Sequence, residues 1–312
     1  MGIDVVCIGQ AVVDCIIRGR EEQPYKENVY RAKSISLNTG GDALNESVIL
    51  SRLGHKVRLI CGIGPDPAGN LIRETARENG VITDGICVRE DVVTPVANLI
   101  VKEDGTRSSI NSEATMLGEY LPDPAKIAGA KILSLASLFR APLDQKETVI
   151  RLVTEAKRQG MTVCADTKLP TYRKMSLSDI KEILPLIDYL FPNEKEGEFY
   201  TGKQDFAEMA EYFRDCGVKN VIIKIGKEGC VVRGEEEAFS MGALPVTAVD
   251  STGAGDNFVA GFLSMLLRGG NLEECCRYGT CCAAVSVQSV GAVSGVKNRQ
   301  SVEEIIRQSG KK

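Results

Sequence analysis

Val249-Asp250-Ser251-Thr252-Gly253-Ala254-Gly255-Asp256-Asn257-Phe258 lies near the C-terminal end of the chain, between a strand-like run over 243–249 and a run in which Phe258, Phe262 and Leu266 fall four apart. That spacing puts three large apolar side chains on one helical face, so the segment predicts a strand, a glycine-rich turn and then a helix. Gly253, Ala254 and Gly255 let a ligand come close to the main chain. The first N–H groups of the helix then point at that ligand with the positive end of the helix dipole behind them. The expected result is an anion seat, and Asp256, in the first helical turn, adds a carboxylate beside it. For Gly-Ala-Gly alone, an ordinary turn with a capping aspartate is the simpler reading.

Away from this stretch, strand-like and helix-like runs alternate. Strands are expected at 4–9, 56–63, 131–135, 161–165, 188–191 and 220–225, and helices at 42–53, 142–159, 177–184, 206–216, 272–286 and from Ser301 onward. Asp66-Pro67 reads as an N-cap and first-position proline opening another helix that Gly80 closes, and Ser301 to Glu304 as a capping box. Such alternation means an α/β fold, a mostly parallel central sheet with helices on both faces, whose ligands bind at the carboxyl ends of the strands. Residues 12–38 and 92–112 break the pattern: short strands and a hairpin around Glu103 to Thr106 replace the expected crossover helix. They predict a small β-sheet lid within a single domain spanning 1–312.

Composition excludes several classes of function. The net charge is −4 with no basic block, against a nucleic-acid or anionic-membrane partner, and no apolar run reaches the roughly 20 residues of a membrane span. Eleven cysteines occur without a Cys-x-x-Cys pair, and His55 is the sole histidine, so a zinc site is disfavoured. The cysteines read as small buried apolar groups in a reducing, cytoplasmic protein, and His55 as a surface residue. There is no Gly-x-x-x-x-Gly-Lys-Ser/Thr loop and no dinucleotide fingerprint after the first strand.

The longer string Asp-Ser-Thr-Gly-Ala-Gly-Asp resembles the C-terminal signature of the ribokinase (PfkB) family of sugar and nucleoside kinases, and Gly40-Gly41-Asp42-Ala43-Leu44-Asn45 resembles its N-terminal one. The resemblance runs through the whole chain in order and implies the ribokinase-like fold. It implies that Gly253, Ala254 and Gly255 bind the phosphates being transferred and that Asp256 is the catalytic base. Asp14, Gly40, Gly41 and Asn45 match the sugar-binding positions. Asn193 and Glu196, in Asn-Glu-Lys-Glu, match the pair that organises Mg²⁺ through water, and Lys224, Gly226 and Gly229 match the nucleotide loop. Thr280 stands where many members carry asparagine near the adenine. Asp250, Thr252, Ser286 and Gly291 match a monovalent-cation site, which would take K⁺.

The activity so implied is ATP-dependent phosphorylation of a hydroxyl on a sugar or polyol, with ATP and Mg²⁺ as cofactors. A carboxylate beside helix N–H groups is expected to have a lowered pKa, making Asp256 a modest base. Val12 and Val13 ahead of Asp14 look more like fructose or ketodeoxy-sugar kinases than ribose kinases, whereas Asp166-Thr-Lys-Leu-Pro170 lacks the arginine of the ketodeoxy-sugar enzymes. Lys168 reads as a surface lysine ahead of a substrate contact, and only a phosphorylated substrate would give both Arg107 and Arg140 a task. A nucleoside acceptor is a further alternative, with Tyr25 and Tyr30 as the stacking residues available in the first lid segment. A sugar-binding protein without turnover and a nicotinamide enzyme are the rivals from other classes. The lid edges predict a homodimer.

Overall fold

The computed structural model describes residues 2–19, 31–102, 107–111, 120–171 and 173–309, with the side chains of Arg107 and Ser309 left out. Nine strands form the main sheet: β1 (Ile3–Ile8), β4 (Val57–Ile63), β5 (Ile82–Val88), β8 (Ala130–Leu138), β9 (Thr162–Thr167), β10 (Tyr189–Leu190), β11 (Asn220–Lys224), β12 (Cys230–Arg233) and β13 (Ala238–Met241). Their order is β13-β12-β11-β10-β9-β8-β1-β4-β5, parallel from β11 to β5 and antiparallel at β12 and β13. The remaining four, β2 (Val12–Arg18), β3 (Ser34–Gly40), β6 (Val96–Val101) and β7 (Arg107–Asn111), form a separate sheet in the order β3-β2-β6-β7.

Parallel strands covered on both faces must be apolar on both faces. Along β1, Val5 and Cys7 join one core and Val6 and Ile8 the other, all fully buried. The first core is closed by α1 (Asp42–Arg52), α2 (Pro67–Glu78), α6 (Ala254–Leu266), α7 (Leu272–Ser286) and α8 (Arg299–Ser309). The second is closed by α3 (Lys146–Arg158) and α5 (Phe206–Asp215), while the short α4 (Glu194–Thr201) follows β10. Phe258 and Phe262 reach the first core as their spacing predicts, with Phe262 edge-on to Phe191 at a centroid distance of 4.9 Å.

β2 and β3 intervene between β1 and α1, and β6 and β7 between the edge strand β5 and β8, the neighbour of β1 in the sheet. At β1 the chain order reverses, running to β4 on one side and β8 on the other. That reversal opens a crevice at the carboxyl ends of the strands.

Several expectations require correction. Residues 243–249 form no strand; Pro245 has no N–H to give a ladder, Leu244 packs against the first core, and at the end of the run the Val249 and Asp250 N–H groups donate to Val287 O. The helix expected at 177–184 is two short 3₁₀ turns, Leu177–Ile180 and Leu184–Leu186, separated by residues 181–183; Pro185, which has no N–H to donate, falls within the second. α3 begins four residues later than expected, after a turn around Pro142. Ser301 lies inside α8, where its N–H is capped by the Asn298 side chain at 3.0 Å. His55 is half-buried against Ser264 at 2.8 Å, and burial lowers its pKa to about 4. The Glu103 to Thr106 turn, Tyr25 and Tyr30 lie outside the described residues. No described helix is long and apolar enough to cross a membrane.

Candidate active site

A cleft of about 870 Å³ opens between the two sheets at the carboxyl ends of β1, β8, β9 and β11. Its floor is the turn from Ser251 to Gly255 and the start of α6. Gly253, the residue preceding α6, has φ +73, a left-handed conformation that disfavours side chains, and a Cβ there would sit 2.5 Å from that of Ala292. No side chain caps α6; the Ala254 N–H donates to Ser251 O at 3.2 Å, and the next two N–H groups, of Gly255 and Asp256, have no partner among the described residues.

Opposite lies the start of α1. Gly41, with φ +91, packs against the main chain of Gln10 and Ala11, where a Cβ would come within 2.6 Å of Gln10 O. Gly40 similarly lies under the Asp14 carboxylate, so two bare residues bring β2, β3 and α1 together. One turn into α1, the Asn45 Nδ2 donates to Asp256 Oδ2 at 2.7 Å. Asp256 is 5% exposed. Its pKa is not lowered as expected but raised to about 7: burial and the neighbouring Asp42 charge push it up more than Lys168 and the Asn45 bond pull it down. Desolvation outweighs the helix dipole here.

An ion-pair chain crosses the wall behind these residues. Lys168 Nζ lies 3.2 Å from Asp42 Oδ1 and 3.3 Å from Asp166 Oδ2, and Lys224 Nζ lies 2.6 Å from Asp166 Oδ1. Ser137 Oγ donates to Asp42 Oδ2 at 2.9 Å. Lys168 therefore lines the cleft rather than the outer surface. Burial alone would lower its pKa, but the carboxylates of Asp166, Asp42, Asp256 and Glu196 hold it well above the ordinary lysine value. The Lys224 ammonium comes within 3.3 Å of where a Gly255 Cβ would be, so a cation stands over the glycine-rich turn.

Asn193 caps α4, accepting from Glu196 N at 3.0 Å, while Glu196 Oε2 accepts from Asn193 N and Thr167 Oγ1. Asn193 lines the cleft, and Glu196 stands buried behind it with a raised pKa caused first by burial and then by Asp166. Gly226 lines the cleft. Gly229 does not; its φ of +103 and its closeness to Met241 O make it a turn residue between β11 and β12. Thr280 is buried in α7 against Met241, away from the cleft lining.

Asp250 gathers Thr252 and Gly291, but not Ser286, of the remaining predicted group. Its Oδ1 accepts from Thr252 N and Oγ1, and its Oδ2 accepts from Gly291 N at 2.9 Å and pairs with Arg18 Nη2 at 3.6 Å. Ser286 donates to Ala283 O within α7. Sequence reasoning passed over Asp42 and Asp166. Each had a positional signal: Asp42 directly follows the paired glycines, and Asp166 sits at the carboxyl end of a parallel strand.

A glycine-rich turn ahead of a helix, a buried carboxylate of raised pKa and a polar crevice at the strand reversal are the parts that a small-molecule phosphotransferase requires. The chain belongs to the pfkB family of carbohydrate kinases, whose family model matches residues 3–299. A ribokinase from Haemophilus influenzae is 30% identical over 274 residues, 86% of this chain and 87% of that one. A nucleoside kinase from Methanothermobacter thermautotrophicus is 27% identical over 293 residues, covering 94% and 92%. The structure of Arabidopsis thaliana ribokinase complexed with ribose and ATP superposes with a TM-score of 0.85 at 25% identity, covering 98% of this chain and 99% of that one.

Proposed function

We propose that this kinase transfers the γ-phosphoryl group of ATP to a hydroxyl of a sugar or sugar-like acceptor, with Asp256 as the base. One observation carries this: the Asp256 carboxyl is buried at the head of α6, beside the open N–H groups of the anion seat, and bonded to Asn45 just beyond the paired glycines. Asp14, Gly41 and Asn45 would hold the acceptor, and Asn193, Lys224 and Gly226 border the nucleotide side. The acceptor oxygen bonds to the γ-phosphorus as the bond to the β-phosphate oxygen breaks, ADP leaves, and the hydroxyl proton goes to Asp256. Such transfers have a loose transition state, so the protein acts by alignment and charge balance. The main-chain N–H groups from Gly253 onward and the Lys224 ammonium suit the moving charge.

Among the described residues no three His, Cys, Asp or Glu side chains form a ready metal cage. That fits Mg²⁺, which keeps several waters and takes phosphate oxygens, with Asn193 and Glu196 ordering those waters; when bound it would offset phosphate charge. K⁺ fits less well. Both Asp250 oxygens already have partners, including the Arg18 guanidinium, so no step is assigned to it.

The sheet β3-β2-β6-β7 would act as the lid of a single domain. Its edge strands expose Ile35, Leu37 and Ile110, which supports pairing of two chains through it. Eleven cysteines without a disulfide support a cytoplasmic setting. Incubation with ATP, Mg²⁺ and a panel of sugars, sugar phosphates, sugar acids and nucleosides tests the activity. Failure to phosphorylate any of them would sink it.

A further inference from the structure

We infer that the acceptor carries an anionic group, a phosphate or a carboxylate, and that Arg140 receives it. The inference rests on the proposal that the cleft presents an acceptor hydroxyl to Asp256. Arg140 sits at the tip of a tight turn at the carboxyl end of β8, where its N–H donates to Ser137 O at 2.9 Å and its carbonyl accepts from Leu143 N. The turn borders the acceptor side, because Ser137 Oγ accepts from Gln10 N and donates to Asp42. Phe139, immediately before Arg140, is the one described residue other than glycine with a positive φ, +75. An aromatic residue adopts that conformation only where its surroundings enforce it, and such positions gather at functional sites. Here the enforcement is visible: the Phe139 ring is fully buried and stacks at 4.4 Å on that of Tyr200.

The turn holds out a guanidinium with a fixed direction and an open fork. Arg140 lines the cleft, and its Nε donates to Leu169 O at 3.0 Å. Its two terminal amino groups have no partner among the described residues. The lysines of the same wall differ, since Lys168 is matched by Asp42 and Asp166, and Lys224 by Asp166. Arg140 also lies within the field of Asp42, but both oxygens of that carboxylate are taken by Lys168 and Ser137.

A neutral polyol closing over Arg140 would remove water from an uncompensated charge, which is costly. A phosphate or carboxylate matches the planar fork with two parallel N–H···O bonds. The arrangement therefore favours a sugar phosphate or sugar acid over a plain sugar or nucleoside.

The test compares fructose, ribose and adenosine with fructose 6-phosphate and 2-dehydro-3-deoxygluconate, using ATP and Mg²⁺. We expect one of the two anionic acceptors to exceed every neutral one in kcat/KM, and the better of the two identifies the anion as phosphate or carboxylate. Arg140→Met should lower kcat/KM for that acceptor by roughly 10- to 100-fold, the range of a charge-assisted hydrogen bond, chiefly through KM. KM for ATP should not change, which also shows that the variant folds. Arg140→Lys should restore part of the loss. Calorimetry with the same compounds and no ATP reads the preference without turnover. Binding of an anionic acceptor that is weakened by Arg140→Met, with no phosphorylation of anything, would retire the kinase proposal and support this one. Preferred turnover of a neutral acceptor, unaffected by Arg140→Met, would overturn this one and leave the kinase proposal standing.

Discussion

The Asn45 amide and the Asp256 carboxylate meet at 2.7 Å although 211 residues separate them in the chain, and this bond joins the two glycine-rich turns into one pocket. It also steadies the charged form of Asp256. Asn45→Ala should leave that carboxylate with less support, so its pKa rises above about 7. The rising limb of the kcat/KM profile should then move to higher pH, with a loss of roughly 10- to 100-fold at neutral pH. An unmoved limb would dissociate the amide from the titrating group.

Asp256→Asn keeps the shape and removes the proposed base. Turnover should fall by about 10²- to 10⁴-fold, the usual share of a positioned general base. ATP affinity measured by calorimetry should stay nearly unchanged, because the proposed nucleotide contacts, Asn193, Lys224 and Gly226, are other residues of the cleft lining. Retention of most of the activity would remove Asp256 from the mechanism.

Asp42→Asn should act in the opposite sense to the Asn45 variant. The Asp42 charge is the second-largest cause of the raised pKa of Asp256, so its loss should bring the rising limb to lower pH. Stability should follow the same titration. A carboxyl whose pKa is higher folded than unfolded favours the folded state at low pH, and this contribution is lost as pH rises from the ordinary carboxylate value through about 7. Thermal midpoints recorded from pH 4 to pH 8 should therefore decline less in Asp256→Asn than in the unchanged chain.

Glycines with similar backbone angles should differ in tolerance. Gly253→Ala meets both a left-handed backbone and Ala292 at 2.5 Å, so it should distort the anion seat and depress ATP binding and turnover together. Gly129 has φ +77 with nothing within 4 Å, so Gly129→Ala should cost only the conformational term of about 1–2 kcal/mol and leave activity intact. Equal effects on ATP binding would show that contact with Ala292 is unimportant.

Phe262→Ala probes the core that carries the site. The ring is fully buried among Phe191 and Tyr189, and its removal should destabilise the fold by roughly 3–5 kcal/mol in denaturant unfolding. A cost below about 1 kcal/mol would mean that this helix is anchored elsewhere.

Much of this molecule is legible in local pattern. The fourfold spacing of Phe258, Phe262 and Leu266 foretells α6, Asp66-Pro67 foretells the start of α2, and Gly41 and Gly253 mark turns that admit no side chain. These features are decided by residues within a few positions of one another, through periodicity, capping and the allowed backbone angles. The run at 243–249 shows the limit of such reasoning. Its composition suits a strand, yet Pro245 and the lack of a partner leave it outside the sheet.

The charge states and pairings of the pocket belong to the folded molecule. The sequence placed a carboxylate at a helix start, where a lowered pKa follows from the dipole; folding buried it near Asp42 and reversed the sign. Lys168 reads as a surface lysine along the chain and becomes a bridge between Asp42 and Asp166, whereas Arg140 keeps its fork open. Desolvation and Coulomb forces depend on which distant segments share a water-poor space, and no window of neighbouring residues contains that information.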